Sequence, residues 1–349
     1  MKRKTFLLLG ILVLLLSTVL AGCGGESTDA SQSAKASEGE KKFTFKFGHT
    51  FTEENHKNLF AEKLGEILEE KSNGSITLET FPSSQLGNDL AMMQALQAGT
   101  QELTTLPMPI VTNFLPEAGI FDLPYLFDSQ EQAEAVLAGE VGDYFFDKLE
   151  EHGFVGLGYI YPMERSIFSK VPIKTAEDFN GLKIRVQQAP GYVKTYEVLG
   201  TQPSVMAYSE VFTALQQGVV DASKGSPDQI FQDGFHEIMD YLIRAGIHIP
   251  IEPIVMSKKV WDQLSPEQQE IVREASEEAF VYQKEIYLQH INDSLDKLEA
   301  EGIEIIDFDE VDAASIKEVS KAAYDDIISS VPNGQELYEM IEKAKAEVE

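Results

Sequence analysis

Leu182-Lys183-Ile184-Arg185-Val186, set between Gly181 and Pro190, reads as a short strand, and the residues after it read as a helix from about Pro190 to Leu199 that stops at Gly200. A strand that runs straight into a helix is the building unit of an α/β fold. The rhythm continues in both directions. Upstream, Phe154 to Ile160 reads as a strand and Thr175-Ala176-Glu177-Asp178 as a helix-start box; downstream, Ser209 is expected to cap a further helix that ends at Gly218. An earlier stretch repeats the pattern. Phe43-Thr44-Phe45-Lys46-Phe47 alternates with period two, and Leu59, Phe60, Leu64, Ile67 and Leu68 fall at helical spacing between about Glu54 and Lys71. Ser72-Asn73-Gly74 turns the chain into a second strand, Ile76 to Phe81, followed by a helix from about Asn88 to Gln97 with Gly99 as its stop. The chain thus holds two α/β halves of similar build, without an internal repeat at a fixed period.

The C-terminal third differs. Ser265-Pro266-Glu267-Gln268 combines a capping Ser, a Pro at the first helical position and a Gln at the third, and no Gly or Pro follows until Gly302. At about 1.5 Å per residue, 266–301 predicts a helix of roughly 54 Å, with Leu288, Ile291, Leu295 and Leu298 as its apolar stripe. A helix of that length exceeds one small domain and is expected to lie across two. Two helices separated by a kink are the alternative.

The N-terminus indicates where the protein works. A basic start, Lys2-Arg3-Lys4, precedes an apolar run from Phe6 to Leu16 and then Leu20-Ala21-Gly22-Cys23. This order is that of a secretory signal, and the apolar run is too short to span a bilayer as a permanent helix. Leu-Ala-Gly-Cys resembles the lipobox of bacterial lipoproteins, which implies that residues 1–22 are removed and that Cys23 carries a lipid anchor such as palmitate. Residues 23–42 are rich in Ser, Gly, Glu and Lys and have no apolar side chain larger than Ala beyond Cys23, so they are expected to form a flexible tether.

Composition excludes several classes of function. With 28 Lys and Arg against 58 Asp and Glu, the net charge of −30 opposes nucleic-acid binding, which needs a basic surface. Such an excess of acid favours a soluble monomer. Cys23 is the one cysteine, so no thiol remains for a disulfide, a thiolate metal site or a nucleophile. The six histidines form no HxxxH pair, and no G-x-G-x-x-G, phosphate loop or G-x-S-x-G is present. No metal and no cofactor is expected, and the chain is not expected to be an enzyme.

From Gly156 onward the sequence resembles the solute-binding proteins of TRAP transporters, the tripartite ATP-independent periplasmic systems associated with C4-dicarboxylate uptake. The resemblance rests on Gly181-Leu182-Lys183-Ile184-Arg185-Val186, on Leu199-Gly200, and on Val205-Met206-Ala207-Tyr208-Ser209-Glu210-Val211-Phe212-Thr213-Ala214-Leu215-Gln216-Gln217-Gly218-Val219-Val220-Asp221. Phe81-Pro82-Ser83-Ser84-Gln85-Leu86-Gly87, Phe121-Asp122-Leu123-Pro124-Tyr125-Leu126-Phe127, and Arg165 with Pro172-Ile173-Lys174 extend it upstream in the same order. It implies a two-lobed periplasmic-binding-protein-like fold with crossing strands, a long helix spanning both lobes, and a ligand enclosed between them. The expected boundaries are 43–162 for the first lobe, completed by about 250–285, and 163–249 for the second, completed by about 286–349.

The resemblance gives Arg185 the central role of gripping a ligand carboxylate. The chemistry agrees: Arg185 stands near the end of a strand, where open α/β sheets bind ligands, and a guanidinium meets a carboxylate through two parallel bonds that a lysine cannot copy. The chain has only five arginines, Arg3, Arg165, Arg185, Arg244 and Arg273. Arg165 matches a second arginine that holds the ligand, Tyr208 an aromatic residue that packs on it, and Asp89 a polar position near the cleft that helix capping would explain as well. One departure stands out. After the aspartate the family carries Gly-Gln-Glu-Asn, whereas Asp221 is followed by Ala222-Ser223-Lys224-Gly225. Gly225 therefore occupies the position of a ligand-binding Asn; either Lys224 supplies a compensating cation or Gly225 makes room for a bulkier ligand.

The implied function is an extracytoplasmic receptor, lipid-anchored at the bacterial cell membrane. It binds a small organic-acid anion and delivers it to TRAP membrane subunits. The alternatives are the binding lipoprotein of an ATP-driven importer and a secreted hydrolase.

Overall fold

The computed structural model describes residues 41–348; the signal segment, Cys23 and the tether up to residue 40 lie outside the described residues. Among the described residues, eleven strands form two sheets: β1 (Phe43–Gly48), β2 (Ile76–Phe81), β3 (Leu103–Thr105), β4 (Phe154–Tyr159), β5 (Ser166–Ser169), β6 (Lys183–Val186), β7 (Gln202–Val205), β8 (Ala222–Gly225), β9 (Tyr241–Ile243), β10 (Pro253–Ser257) and β11 (Glu304–Ile306). The first sheet has the order β2-β1-β3-β10-β4 and the second β11-β9-β5-β8-β6-β7. In each, parallel strands linked by helices are joined by antiparallel strands that arrive from the other sheet. The architecture is the mixed α/β, two-lobed binding-protein fold that the sequence implied.

The period-two pattern of β1 does what it predicts. Phe45 and Phe47 are fully buried against Phe60, Leu64 and Leu68 of the helix His56–Lys71, and Gly99 ends the helix Asp89–Ala98 in the left-handed conformation. Ser209 does not cap a helix. It sits within a 3-10 turn, Tyr208–Glu210, that leads directly into the helix Val211–Gln216, and the N-terminal cap position falls on Glu210.

Four connections join the lobes: residues 160–165 between β4 and β5, residues 244–252 between β9 and β10, the long helix Pro266–Ala300, which is continuous over 35 residues, and the turn 321–323 after the helix Ala313–Ser320. Ser265 and Gln268 form the expected reciprocal cap. The helix packs on His56–Lys71 in its first half and on the helix Pro227–Gln232 and β11 further on, so it spans both lobes. Its buried face holds the expected stripe only in part, with Ile291 and Leu295 partly buried against the cores. Leu298 is buried, but Leu288 is 46% exposed, while Ala275, Ser276, Ala279, Gln283, Tyr287 and Ser294 face inward. Small residues let the helices approach, and the polar ones satisfy the crossing backbone. Gln283 Oε1 accepts from Tyr161 N at 3.0 Å, and the Tyr287 hydroxyl accepts from Glu164 N at 2.7 Å.

The chain end also departs from expectation. The sequence places about 286–349 in the second lobe, and β11 with the helix Ala313–Ser320 does pack there through Ile306 and Ile316. The last two helices, Tyr324–Ser330 and Gly334–Val348, return to the first lobe, where Ile327, Val331, Leu337 and Ile341 join the core around Phe121, Val136 and Phe145. Their apolar residues cover helices 130–137 and 140–151, which would otherwise have an unpacked side.

Candidate functional site

In the second sheet β6 and β8 run parallel with Ile184 opposite Ala222. Side chains alternate along a strand, so this register decides which residues share a face. Ile184, Val186 and Ala222 point toward Tyr192 and Tyr196 of the helix Pro190–Val198. Arg185 points to the other face, toward Met206 and Tyr208. Lys224 stands level with Val186 and shares its face.

Arg185 is 3% exposed. Its Nε and Nη2 donate to the Met206 carbonyl at 3.1 and 3.0 Å, and its guanidinium lies 5.9 Å from the centre of the Tyr208 ring. A guanidinium carries five N–H groups. One edge is fixed on the backbone, which leaves the Nη1/Nη2 edge to make two parallel bonds to a carboxylate. No carboxylate among the described residues forms an ion pair with Arg185. Burial, and then the charge of Arg165, pushes its pKa down to about 10, against the opposing pull of Tyr208, Asp89 and Glu210.

Arg165 lies on the crossing between β4 and β5, with a buried Nε that has no hydrogen-bond acceptor. It borders a cavity of about 400 Å³ together with His248, Tyr125 and Phe127. Its neighbour Glu164 is bound by Arg244 through Nε and Nη2 at 2.8 and 2.6 Å, while Arg273 lies 4.7 Å above the Trp261 ring. Arg244 and Arg273 are thus committed to structure, and Arg165 and Arg185 are not.

Asp89 opens the helix Asp89–Ala98, but the cap is Asn88, whose side chain accepts from Ala91 N at 2.9 Å. Capping therefore does not account for Asp89. Its Oδ1 is buried without a partner, and burial with the nearby charge of Glu252 raises its pKa to about 6 although Arg185 and Lys57 pull it down. Tyr208 is half-buried and donates its hydroxyl to Asp233. Burial and that carboxylate hold the phenol well above its usual range.

Lys224 is 2% exposed, and its ammonium lies 4.0 and 4.3 Å from the ring centres of Tyr192 and Tyr196, with no hydrogen-bond acceptor. Burial and then the charges of Arg165 and Arg185 push its pKa well down; Asp122 acts in the opposite direction. A Cβ added at Gly225 would meet Gln229 Oε1 at 3.2 Å, Ile230 Cγ1 at 3.3 Å and Phe168 Cε1 at 3.5 Å. The space freed by the missing side chain is bounded by packed neighbours.

Several site groups carry no legible signal in the sequence. Lys57 and Glu252 are each 2% exposed and pair at 2.6 Å, and Asp122 is buried beside the backbone N–H of Gly191. Asn55, which caps its helix, also reaches across to the second lobe and donates to Gln232 Oε1 at 3.0 Å and Asp228 Oδ2 at 3.4 Å. Partners 173 to 195 positions apart in the chain leave no local pattern to read. Among the described residues no group of three or more His, Cys, Asp or Glu is placed to hold a metal ion, and no helix is long and apolar enough to cross a membrane. The charged groups that converge here, Arg185, Arg165, Lys224, Asp89 and Lys57 with Glu252, have the chemistry of an anion-binding cleft.

Residues 47–330 match the family described as bacterial extracellular solute-binding protein, family 7. The solute-binding protein RD1_1052 of Roseobacter denitrificans is 30% identical over 289 residues, covering 81% of this chain and 86% of the relative. The C4-dicarboxylate-binding periplasmic protein DctP of Rhodobacter capsulatus is 29% identical, covering 86% and 87%. Among solved structures, the sugar acid binding protein DctPAm of Advenella mimigardefordensis in complex with galactonate superposes with a TM-score of 0.83 at 25% identity, covering 88% of this chain and 100% of that one. These relatives are binding proteins rather than enzymes.

Proposed function

The chain belongs to the family 7 extracellular solute-binding proteins, the binding components of TRAP transporters, and on that premise we propose that it is a receptor that captures a small organic-acid anion between its lobes and delivers it to the TRAP membrane subunits. The relatives named for C4-dicarboxylates and for sugar acids point to the organic-acid class. Carrying this reading is the free Nη1/Nη2 edge of Arg185: a buried guanidinium pre-oriented by the Met206 carbonyl and facing no protein carboxylate within ion-pairing distance among the described residues. A ligand carboxylate there makes two charge-assisted bonds with little loss of side-chain freedom, because the fork is already held. Arg165 adds long-range attraction, Tyr208 forms a wall, and Asp89 faces the ligand from the first lobe. Asn55 and Gln232 tie the lobes across the mouth. The protein acts as a monomer outside the cytoplasm, anchored by lipid on Cys23. The alternative of an ATP-driven importer draws no support from the family or the relatives.

The test starts with a thermal-shift panel of organic acids, followed by calorimetric titration of wild type, Arg185→Ala and Arg185→Lys with an acid that binds. Loss of binding in both variants, with unliganded stability kept, is expected. Near-wild-type affinity for Arg185→Ala would place the carboxylate elsewhere. Mass spectrometry of the N-terminal peptide from native membranes tests the anchor; an unmodified Cys23 would refute it.

A further inference from the structure

At the ends of β6 and β8 the cations sit on both faces of the sheet. Arg185 serves one face, Lys224 the other, and Arg165 stands at the edge between them, since Ser166, the next residue, pairs with Gly225 at the end of β8. A single carboxylate on Arg185 leaves Lys224 without an acceptor. The protein does not supply one. Glu252 is taken by Lys57, Asp233 receives the Tyr208 hydroxyl, and Asp122, though near enough to act on Lys224, forms no ion pair with it. The faces of Tyr192 and Tyr196 attract a cation but offer it no hydrogen-bond acceptor along the N–H directions. A buried ammonium held in this way, with two arginines nearby, is a site for an anion.

The same region holds unpartnered acceptors. Gln187 Oε1 and Asp89 Oδ1 are buried with no hydrogen-bond donor among the described residues. Acceptors of this kind call for hydroxyl groups, because a buried acceptor without a donor costs free energy that a ligand O–H recovers.

We propose that the ligand is a polyhydroxylated diacid whose first carboxylate binds Arg185 and whose second is held by Lys224, with Arg165 between them and its hydroxyls donating to Gln187 and Asp89. This rests on the carboxylate role of Arg185 proposed above and makes Lys224 the residue that selects a dianion.

A six-carbon set separates the requirements. Galactarate and glucarate carry two carboxylates and four hydroxyls, galactonate carries one carboxylate, and adipate carries two carboxylates and no hydroxyl. Calorimetric titration of the mature protein should show at least one of the two hydroxylated diacids binding at least tenfold more tightly than both galactonate and adipate. Lys224→Met should reduce the preference over galactonate to less than threefold by weakening the diacid. Galactonate binding as tightly as the diacids, adipate binding as tightly as either, a preference that survives Lys224→Met, or failure of both hydroxylated diacids to bind would each overturn the inference. The wild-type comparison holds even if the variant does not fold. Arg185→Ala separates this inference from its premise. If it abolishes binding of whichever acid binds, the carboxylate role stands even when the diacid preference is absent; if it changes nothing, the premise itself fails.

Discussion

Two buried lysines, Lys57 in the first lobe and Lys224 in the second, are each 2% exposed, lie over aromatic rings, and have their ammonium pKa pushed down by burial. They differ in one respect. Lys57 meets Glu252 at 2.6 Å, whereas Lys224 has no hydrogen-bond acceptor and no ion pair among the described residues. The first arrangement has its counter-charge within the protein and ties the start of the helix His56–Lys71 to the crossing segment ahead of β10. The second, on the proposal above, is completed by the ligand's anion. On the proposed reading, a buried charge with a partner is a structural feature, and one without a partner is a ligand site.

The contrast can be broken most directly at Glu252. Glu252→Ala leaves Lys57 buried and alone, and removing one member of a buried pair typically costs about 3–5 kcal/mol. Chemical denaturation of the unliganded protein should show that loss; a change under 1 kcal/mol would remove the distinction between the two lysines. Next in size is Arg185→Ala. Truncating one partner of a buried charged contact costs about 2–5 kcal/mol of binding, roughly thirty-fold to several-thousand-fold in Kd, with little effect on unliganded stability.

Lys224→Met should act on unliganded stability in the direction opposite to Glu252→Ala. Removing a polar group buried without a partner should stabilise the unliganded fold by about 1–3 kcal/mol while weakening ligand binding. Destabilisation would mean that Lys224 already has an adequate partner. The smallest effect concerns pH and Asp122. Its carboxyl is pushed from 3.8 up to about 8 by burial, with Lys224 opposing. The folded state therefore holds a proton that the unfolded chain has lost, so stability falls as pH rises from about 4 toward 8. Asp122→Asn removes that dependence, and its melting temperature should vary less between pH 5 and pH 8 than that of wild type. Equal pH slopes for the two proteins would show that Asp122 does not carry this proton linkage.

Much of the candidate site is legible in the sequence because its main residues sit near strand ends flanked by strong local signals. Arg185 lies near the end of β6, which follows the turn at Gly181, and Tyr208 lies in the turn after β7. What could not be read is the company these residues keep. Short strands such as β8, Ala-Ser-Lys-Gly, have no period-two pattern because they are buried on both faces and hold a lysine for a reason that lies in another helix. Glycine at 191 is another such case: a side chain there would collide with Asp122 of the other lobe, a contact between positions 69 apart. The long helix is visible from its cap and its lack of breakers, and Ile291, Leu295 and Leu298 of its stripe do pack inward, but Gln283 and Tyr287 on its buried face serve backbone groups of the crossing segment instead of an apolar core.

By itself the sequence determined the alternation of strands and helices, the long helix, the family, and which arginine to suspect. Hydrophobic periodicity, caps and turn residues act over a few positions, and so they are written locally. Only the tertiary structure decided that Arg244 is spent on Glu164 while Arg165 is not, that Asn88 and not Asp89 caps its helix, that Lys224 and Arg185 face opposite sides of one sheet, and that the last two helices return to the first lobe. Those outcomes depend on burial and on partners distant in the chain. A charge in water needs no partner, but a charge inside a protein must find one or wait for a ligand to supply it.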